Sequence, residues 1–166
     1  MTLKFSLLNR HHDKKGFSCG QPQLDEYLKT QASQDIRRKL AVCFVLTEND
    51  RAILGYYTLS SSGIPRVHLP PEIQQKLPPS YSQLPVTLLG RLARDVNYKG
   101  MDIGNLLLID ALRRSYEVSL TSIASMAIVT DPIDEKAAAF YGKYGFVTLE
   151  TGRMFLSMGT IAKLLG

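Results

Sequence analysis

Cysteine and histidine are scarce in this chain, and the few present lack the spacing of a metal site. Cys19 and Cys43 are the only cysteines, and neither belongs to a CxxC pair. His11, His12 and His68 share no ligand spacing with one another or with the cysteines. We therefore expect no metal site. Two reduced thiols are the expected state of the cysteines, with a single disulfide as the alternative.

Long apolar runs are absent as well. No stretch approaches the roughly 18 uncharged apolar residues that a membrane-spanning helix requires. The first residues, Met1 to Phe5, do not have the architecture of a signal peptide. We therefore expect a cytoplasmic protein with no membrane-spanning segment.

The composition is that of one globular domain with a modest positive charge. The chain has 166 residues, of which 45% are hydrophobic and 21% are charged, and we expect a single domain over residues 1–166. The formal net charge of +5 favours an anionic partner, such as a phosphorylated cofactor or a nucleic acid. An excess of this size does not choose between these partners, and it is equally compatible with a role in solubility alone.

Hydrophobic periodicity predicts a mixed α/β fold. Pro22 suits the first position of a helix, and apolar residues from Leu24 to Ile36 recur at helical spacing. The remaining predicted elements are strands at 2–8, 41–46, 52–59, 86–95 and 123–130, a helix at 103–118, a short helix ending before Gly145, and a closing antiparallel pair at 146–149 and 153–158. The second and third of these strands are expected to pair as a hairpin.

Six of the eight prolines lie between residues 63 and 85. Residues 71–77 can form one short helix. We expect the rest to be extended or irregular, because proline lacks an N–H donor and disfavours helix at the residue before it. A loop of this length either walls a substrate cleft or is an insertion, and the sequence leaves both open.

A glycine-bearing turn precedes the predicted helix at 103–118. It runs from Lys99 through Gly100 to Gly104. Such a turn presents backbone N–H groups and the positive end of the helix dipole, which together hold phosphate. Downstream, Tyr141 on the short helix offers a phenol that can donate a proton. A phosphate site and a proton donor together suggest a transferase that uses a phosphate-bearing cofactor.

These residues resemble the GNAT superfamily of acyl-CoA-dependent N-acetyltransferases. That family has a pyrophosphate loop of the form Gln/Arg-x-x-Gly-x-Gly/Ala, which residues 99–104 match at Gly104. Lys99 stands at the first position in place of Gln or Arg, and Asp102 replaces the middle glycine. The tyrosine proton donor of the family falls at Tyr141.

The resemblance implies a GNAT-like domain of class α/β (α+β), whose mixed central sheet has splayed parallel strands flanked by helices. It implies acetyl-CoA as the cofactor, with its pantetheine arm between the strand of Leu92 and Ala93 and the strand near 128–130. A backbone N–H near Ala93 would stabilise the carbonyl oxygen, and Tyr141 would protonate the leaving thiolate. The implied cofactor contacts are Leu92, Ala93, Arg94, Lys99, Gly100, Met101, Asp102, Ile103, Gly104, Asn105, Ala138 and Phe140.

Outside that core the chain resembles one branch of the superfamily. The matching segments are 17–20, 24–28, 55–59 and 90–95. That branch contains the toxins of toxin–antitoxin pairs, which acetylate the free amine of aminoacyl-tRNA. The resemblance implies aminoacyl-tRNA as the substrate and a protein antitoxin as a partner, and it leaves open whether the chain forms a homodimer.

No carboxylate stands out as a general base. Asp95 and Asp131 are the candidates, and the alternative for each is a solvated carboxylate at a strand end. Deprotonating a lysine amine at pH 7 costs roughly 4–5 kcal/mol, whereas an α-amine costs about 1–1.5 kcal/mol. A site without a strong base therefore suits an α-amine, such as that of an aminoacyl ester.

Clusters of positive charge are candidates for contacts with RNA phosphates. We predict Arg37, Arg38 and Arg91 as substrate-binding residues, of which Arg91 lies beside the implied cofactor strand. Each can equally belong to a solvated face or a helix end. Two other functions stay open: acetylation of a small-molecule or protein amine, and a non-catalytic module that binds acyl-CoA or a partner.

Overall fold

The structure is a computed structural model that describes residues 2–98 and 100–166. Lys99, which the sequence assigns to the cofactor turn, lies outside the described residues. The chain divides into two compact units. The first comprises the chain up to Ser60 together with Gly90–Ala111, and the second comprises Ser61–Leu89 with Leu112–Gly166. The single domain expected over residues 1–166 stays a prediction.

The strands form a seven-stranded mixed sheet. In chain order they are β1 (Lys4–Leu7), β2 (Val42–Thr47), β3 (Ile53–Pro65), β4 (Gln83–Arg94), β5 (Ala127–Thr130), β6 (Val147–Thr148) and β7 (Met154–Ser157). Their order in the sheet is β1-β2-β3-β4-β5-β7-β6. Strands β4 and β5 pair in parallel, and β1–β2, β2–β3, β5–β7 and β6–β7 pair antiparallel. This confirms the predicted mixed sheet.

Six α-helices accompany the strands in the described part of the chain. They are α1 (Pro22–Glu26), α2 (Ala32–Arg37), α3 (Pro71–Gln74), α4 (Ile103–Thr121), α5 (Glu135–Gly142) and α6 (Met158–Leu165). A π-helical turn (Tyr27–Gln31) joins α1 to α2, and 3₁₀ turns occur at Arg66–His68 and Val96–Tyr98. Of the helices described, none has both the length and the apolar character needed to span a membrane.

In the first unit, the predicted hairpin and the predicted first helix are confirmed. Val45 of β2 pairs with Tyr56 of β3, and β1 adds to the outer side of β2. Pro22 lies in the first turn of α1, as expected, although the π-helical turn interrupts the helix. The helical residues Tyr27 and Leu28 belong to the same buried cluster as Val45 and Tyr56, so the helix is held by apolar packing on the hairpin.

Both cysteines carry free thiols, as the sequence predicts. Burial raises the pKa of Cys19 to about 11 and that of Cys43 to about 12. Both thiols are therefore protonated at neutral pH, and neither has the thiolate character of a nucleophile.

In the second unit, β5 is a short central strand that is buried along its whole length. The prediction that it begins at Ile123 is wrong: β5 begins at Ala127, and Ile123 is 68% exposed. The reason is that α4 continues to Thr121 and the chain then turns before entering the sheet. The closing antiparallel pair is confirmed as β6 and β7. Helix α6, which the sequence analysis did not identify, follows β7 and is capped by the side chain of Ser157.

The proline-rich segment is shorter and more ordered than the sequence indicates. Strand β3 continues to Pro65 and β4 begins at Gln83, so the irregular part covers only residues 66–82. The guanidinium of Arg66 donates to the carbonyl oxygens of Pro78 (2.7 Å) and Leu77 (3.1 Å). One side chain thus fixes the segment from inside, because it satisfies carbonyl groups that follow α3.

Candidate active site

The turn before α4 has the backbone geometry of an anion site. Gly100 has φ = +87° and Asp102 has φ = +57°, both in the left-handed region. Left-handed residues in a turn direct successive N–H groups toward one side, which makes a concave site for an anion. The turn leads into the 19-residue helix α4, whose N-terminus adds the positive end of its dipole. A Cβ built on Gly100 would meet nothing within 4 Å, so the space beside the turn is open.

Asp102 occupies the position where the GNAT loop has its middle glycine, yet it leaves the turn intact. Aspartate tolerates the left-handed conformation better than most residues. Its carbonyl oxygen accepts the N–H of Leu106 at 3.1 Å, so Asp102 starts the helix. The residue is exposed, which places its carboxylate in solvent. The aspartate therefore does not prevent the turn from forming.

The other predicted residues of the turn take up different degrees of burial. Ile103 is fully buried and anchors the helix, whereas Met101, Gly104 and Asn105 are half-buried.

Gly55 of β3 sets the position of α4, and the sequence analysis did not identify it as a site residue. A Cβ at Gly55 would lie 2.7 Å from Cδ1 of Leu107 and 3.0 Å from the carbonyl oxygen of Ala93. The side chains in the first two turns of α4 therefore pack directly on the backbone of β3 at Gly55, next to the Ala93 carbonyl of β4. Glycine inside an otherwise apolar strand was the available signal, since it often marks a close approach of backbone.

Asp95 follows β4 directly and is a structural carboxylate. It is 2% exposed, so its interpretation as a solvated strand-end group is wrong. Its two oxygens accept the backbone N–H groups of Ser18 (3.0 Å) and Asn97 (2.8 Å). These bonds tie the loop before α1 and the 3₁₀ turn before Gly100 to the end of β4. Asp95 thus fixes the backbone that leads into the turn. Because both of its oxygens accept backbone N–H groups, it is not placed as a general base.

Asp131, the other candidate base, forms an ion pair. Both oxygens accept hydrogen bonds of 2.8 Å from the guanidinium of Arg153. The Asp131 side chain is 60% exposed, which agrees with its reading as a solvated carboxylate at a strand end.

Strand β4 extends beyond its pairing with β5. The parallel pairs are Thr87 with Ile128, Leu88 with Val129, and Leu89 with Thr130. β4 then continues from Gly90 to Arg94. Within this continuation Ala93 is buried, and Arg91, Leu92 and Arg94 are half-buried.

Tyr141 lies near the end of α5, which begins at a well-formed cap. The side chain of Asp134 accepts the N–H of Ala137 at 2.8 Å. Tyr141 is 6% exposed, and its ring contacts Phe140 and Phe146 at centroid distances of 5.4 and 5.3 Å. Burial raises the pKa of Tyr141 to about 12, although a side-chain hydrogen bond with Thr130 partly lowers it. The phenol is therefore protonated at neutral pH.

Two further predicted cofactor residues share α5 with Tyr141. Ala138 and Phe140 are both half-buried. Phe140 also packs edge-to-face on Tyr144, with ring centroids 5.5 Å apart. This aromatic group, Phe140, Tyr141, Tyr144 and Phe146, fixes the orientation of the helix end.

The predicted substrate-binding arginines fall into two environments. Arg37 and Arg38 are exposed at the end of α2. Arg91 lies with its guanidinium carbon 3.6 Å from the centroid of the Tyr27 ring, and this contact was not predictable from sequence spacing.

Comparison with known proteins gives a consistent picture, although no family model matches the chain. The chain is 32% identical over 146 residues to the "tRNA-acetylating toxin" of Mycobacterium tuberculosis (strain ATCC 25618 / H37Rv), covering 88% of this chain and 85% of that protein. It is 30% identical over 165 residues to the "Probable toxin TacT" of Sinorhizobium fredii (strain NBRC 101917 / NGR234), covering 93% and 90%.

Solved structures of the same kind superimpose on nearly the whole chain. "AtaT complexed with acetyl-methionyl-tRNAfMet" matches with a TM-score of 0.90 and 29% identity, over 99% of this chain and 100% of that one. "AtaTR bound with AcCoA" matches with a TM-score of 0.86 and 31% identity, over 99% and 98%. The AtaT Y144F mutant toxin bound to the C-terminus of the antitoxin AtaR matches with a TM-score of 0.84 and 26% identity, over 99% and 98%.

The left-handed turn at the start of α4, the buried phenol on α5 and the extent of these likenesses lead to one assignment. The chain belongs to the GNAT-fold family of tRNA-acetylating toxins.

Proposed function

We propose that this protein transfers the acetyl group of acetyl-CoA to the α-amine of aminoacyl-tRNA, and so blocks translation. The bond between the acetyl carbon and sulfur breaks, and an amide bond to the amine nitrogen forms. The amine loses a proton, and the thiolate of coenzyme A gains one. The observation that carries the proposal is the pair of left-handed residues, Gly100 and Asp102, at the N-terminus of α4.

The turn residues would hold the cofactor, which supplies the reactive thioester when bound. Backbone N–H groups between Gly100 and Gly104, together with the dipole of α4, are suited to the pyrophosphate. The N–H of Met101 is not among them, because it donates to the carbonyl oxygen of Tyr98 at 3.4 Å. The part of β4 from Leu92 to Arg94, which continues beyond the ladder with β5, offers backbone groups for the pantetheine arm. The N–H near Ala93 is the proposed donor to the carbonyl oxygen, where negative charge develops during the reaction.

Tyr141 would act as the general acid. Its role is to protonate the departing thiolate, whose conjugate acid has a pKa of about 8.5. A buried phenol with a raised pKa is fully protonated at neutral pH, so it has a proton to donate when the thiolate leaves.

The carboxylates near the strand ends favour an acceptor that needs no strong base. Asp95 binds two backbone N–H groups and Asp131 pairs with Arg153, so both are already engaged. An α-amine costs only about 1–1.5 kcal/mol to deprotonate at pH 7, which suits such a site. This supports aminoacyl-tRNA over a lysine side chain.

The remaining partners follow from the toxin family. A protein antitoxin would bind the toxin, as AtaR binds AtaT. Arg91, Arg37 and Arg38 are proposed to contact RNA phosphates. Charged tRNA is used in the cytoplasm, so we place the protein there.

The test is incubation of the purified protein with labelled acetyl-CoA and a pool of charged tRNAs. The expected result is label on the aminoacyl group, lost when the ester is hydrolysed from the tRNA. Transfer to a simple amine or a protein, with none to any charged tRNA, would contradict the proposal. Tight binding of acetyl-CoA without any transfer would instead indicate a non-catalytic module.

A further inference from the structure

The contact between Arg91 and Tyr27 leaves the donor groups of the arginine available. The guanidinium carbon lies 3.6 Å from the ring centroid, which is a cation–π contact. A guanidinium that stacks on a ring uses its flat face, whereas its five N–H groups point outward in its plane. The N–H edge is the part that binds carboxylate or phosphate in a bidentate manner.

Tyr27 is itself held in place by buried contacts. Its hydroxyl donates to Oδ2 of Asp35 at 2.7 Å, and the two residues are 6% and 8% exposed. The ring stacks on that of Tyr56 with centroids 6.4 Å apart and an interplanar angle of 13°. Tyr56 in turn donates to the carbonyl oxygen of Leu24 at 2.7 Å. The ring under Arg91 is therefore a fixed surface.

The charge of Arg91 has no counterion in the part of the chain that the structure describes. The nearby buried carboxylate of Asp35 accepts from Tyr27, and the ion pairs present among residues 2–98 and 100–166 do not include Arg91. A half-buried cation without an ion pair costs solvation free energy that an anionic ligand can offset.

We infer that Arg91 binds a phosphate group of a substrate, and that Tyr27, fixed by Asp35, is the residue that positions its guanidinium. The inference rests on the proposed function for the source of the phosphate, which is either acetyl-CoA or the aminoacyl-tRNA. Tyr27 and Asp35 act through Arg91 and touch no substrate. They reduce the number of orientations of Arg91, so less conformational entropy is lost when the phosphate binds.

The experiment measures binding to the whole protein in two separate arms, without turnover. Calorimetry with acetyl-CoA reports the cofactor, and filter binding with charged tRNA reports the RNA. Arg91→Gln should weaken binding about tenfold for the ligand, acetyl-CoA or charged tRNA, whose phosphate Arg91 contacts. Arg91→Lys should recover only part of that loss, because an ammonium lacks the planar pair of donors.

A double-mutant cycle separates positioning from general stability. Tyr27→Phe keeps the ring but removes the hydroxyl, and should weaken the same arm about two- to threefold. In the Arg91→Gln background the same change should have no further effect on binding. Arg10→Gln removes one exposed positive charge elsewhere and is the control for net charge. Thermal melting of Tyr27→Phe reports the cost of leaving Asp35 without its partner, and melting of the other variants reports their general stability.

The salt dependence decides the source of the phosphate. If it belongs to RNA, Arg91→Gln should reduce the slope of log K against log salt by about 0.7–0.9 while acetyl-CoA binding is unchanged. If it belongs to the cofactor, only the calorimetric arm should change. The inference is overturned if Arg91→Gln binds both acetyl-CoA and charged tRNA as tightly as the wild type does. It is also overturned if Tyr27→Phe weakens binding equally in the wild-type and the Arg91→Gln backgrounds. Failure of the wild-type protein to acetylate charged tRNA would refute the proposed function. The binding measurements on the Arg91 and Tyr27 variants would still test this inference, because they do not depend on turnover.

Discussion

The hydroxyl of Thr130 donates a hydrogen bond of 2.8 Å to the carbonyl oxygen of Leu89, across the last pair of the parallel β4–β5 ladder. Thr130 is 2% exposed, and its side chain also interacts with the phenol of Tyr141, whose pKa it lowers. One buried hydroxyl therefore links the end of the ladder to the proposed general acid. Low local dielectric strengthens such linked hydrogen bonds and makes a missing partner costly.

Thr130→Val removes this hydroxyl with almost no change in shape. We expect turnover to fall about three- to tenfold with little change in acetyl-CoA affinity, because the phenol loses a partner that orients it. Unfolding should become easier by about 1–3 kcal/mol, since the carbonyl of Leu89 loses its donor. Thr130→Ser keeps the hydroxyl and serves as the matched control. Equal turnover of the valine and serine variants would show that the hydroxyl does not orient Tyr141.

Tyr141→Phe tests the general acid directly. Acetyl-CoA binding, measured by calorimetry, should stay close to wild type, because the ring keeps its contacts with Phe140 and Phe146. Turnover should fall at least about tenfold, since the thiolate then leaves without a proton donor. A phenylalanine variant with wild-type turnover would mean that another group, or water, protonates the thiolate.

The pH profile of kcat/KM should reflect the ionisation of the acceptor amine. Below about pH 10 it should show no ionisation of Tyr141. The amine must be neutral to attack, so kcat/KM is expected to rise with pH until about 8, near the pKa of an α-amine. Tyr141 donates only while it is protonated, and burial raises its pKa to about 12. Deprotonation of Tyr141 should therefore lower the rate only above about pH 11. Single-turnover rates at short times measure this before the ester hydrolyses. A falling limb between pH 8 and 10 would contradict the assignment of Tyr141.

The raised pKa of Tyr141 also predicts how stability responds to alkali. The folded-state pKa, about 12, lies above the unfolded value of about 10. Between these values the folded protein binds more protons, so the contribution of Tyr141 is complete below pH 10 and is lost as pH rises toward 12. Tyr141→Phe should show a weaker decline of melting temperature over this window. An identical decline in both proteins would show that other groups govern alkaline unfolding.

The elements proposed to carry the reaction were predictable as structure, because their signals are local. A glycine-bearing turn before a long apolar helix, and a tyrosine on the helix that follows β5, are visible in consecutive residues. The start of β5 was not predictable, because residues 122–126 include no proline or glycine to mark the end of α4. The position of Tyr27 under Arg91 joins residues far apart in the chain, and no periodicity encodes such a contact.

The burial of Asp95 was equally invisible in the sequence. A carboxylate after a strand is usually solvated, and only the backbone N–H groups of Ser18 and Asn97 make its burial favourable. Gly55 carried a signal, yet a strand glycine has several explanations. The close packing of Leu107 and the Ala93 carbonyl is what selects among them.

Gly55→Ala should disturb the packing of α4 on the sheet. The added methyl group would lie 3.0 Å from a backbone carbonyl oxygen, which cannot move away as a side chain can. We expect a loss of about 1–3 kcal/mol in the free energy of unfolding, with weaker acetyl-CoA binding because the turn moves with the helix. Gly142→Ala is the control, since its Cβ meets nothing within 4 Å. Both are measured by denaturant unfolding and calorimetry, and a Gly55→Ala variant as stable as wild type would refute the packing constraint.

Asp102→Asn tests whether the carboxylate in the turn opposes the cofactor. Asparagine tolerates the left-handed backbone as well as aspartate does, so the turn should persist. Removing an exposed negative charge near a pyrophosphate should strengthen binding by only about 0.5–1 kcal/mol, because water screens the repulsion. The effect should shrink as salt is added. Calorimetry at low and high ionic strength measures it, with Asp50→Asn as the control for an exposed aspartate that is also left-handed. If Asp102→Asn weakens binding at both ionic strengths, the carboxylate contributes to the turn in a way that its exposure does not indicate.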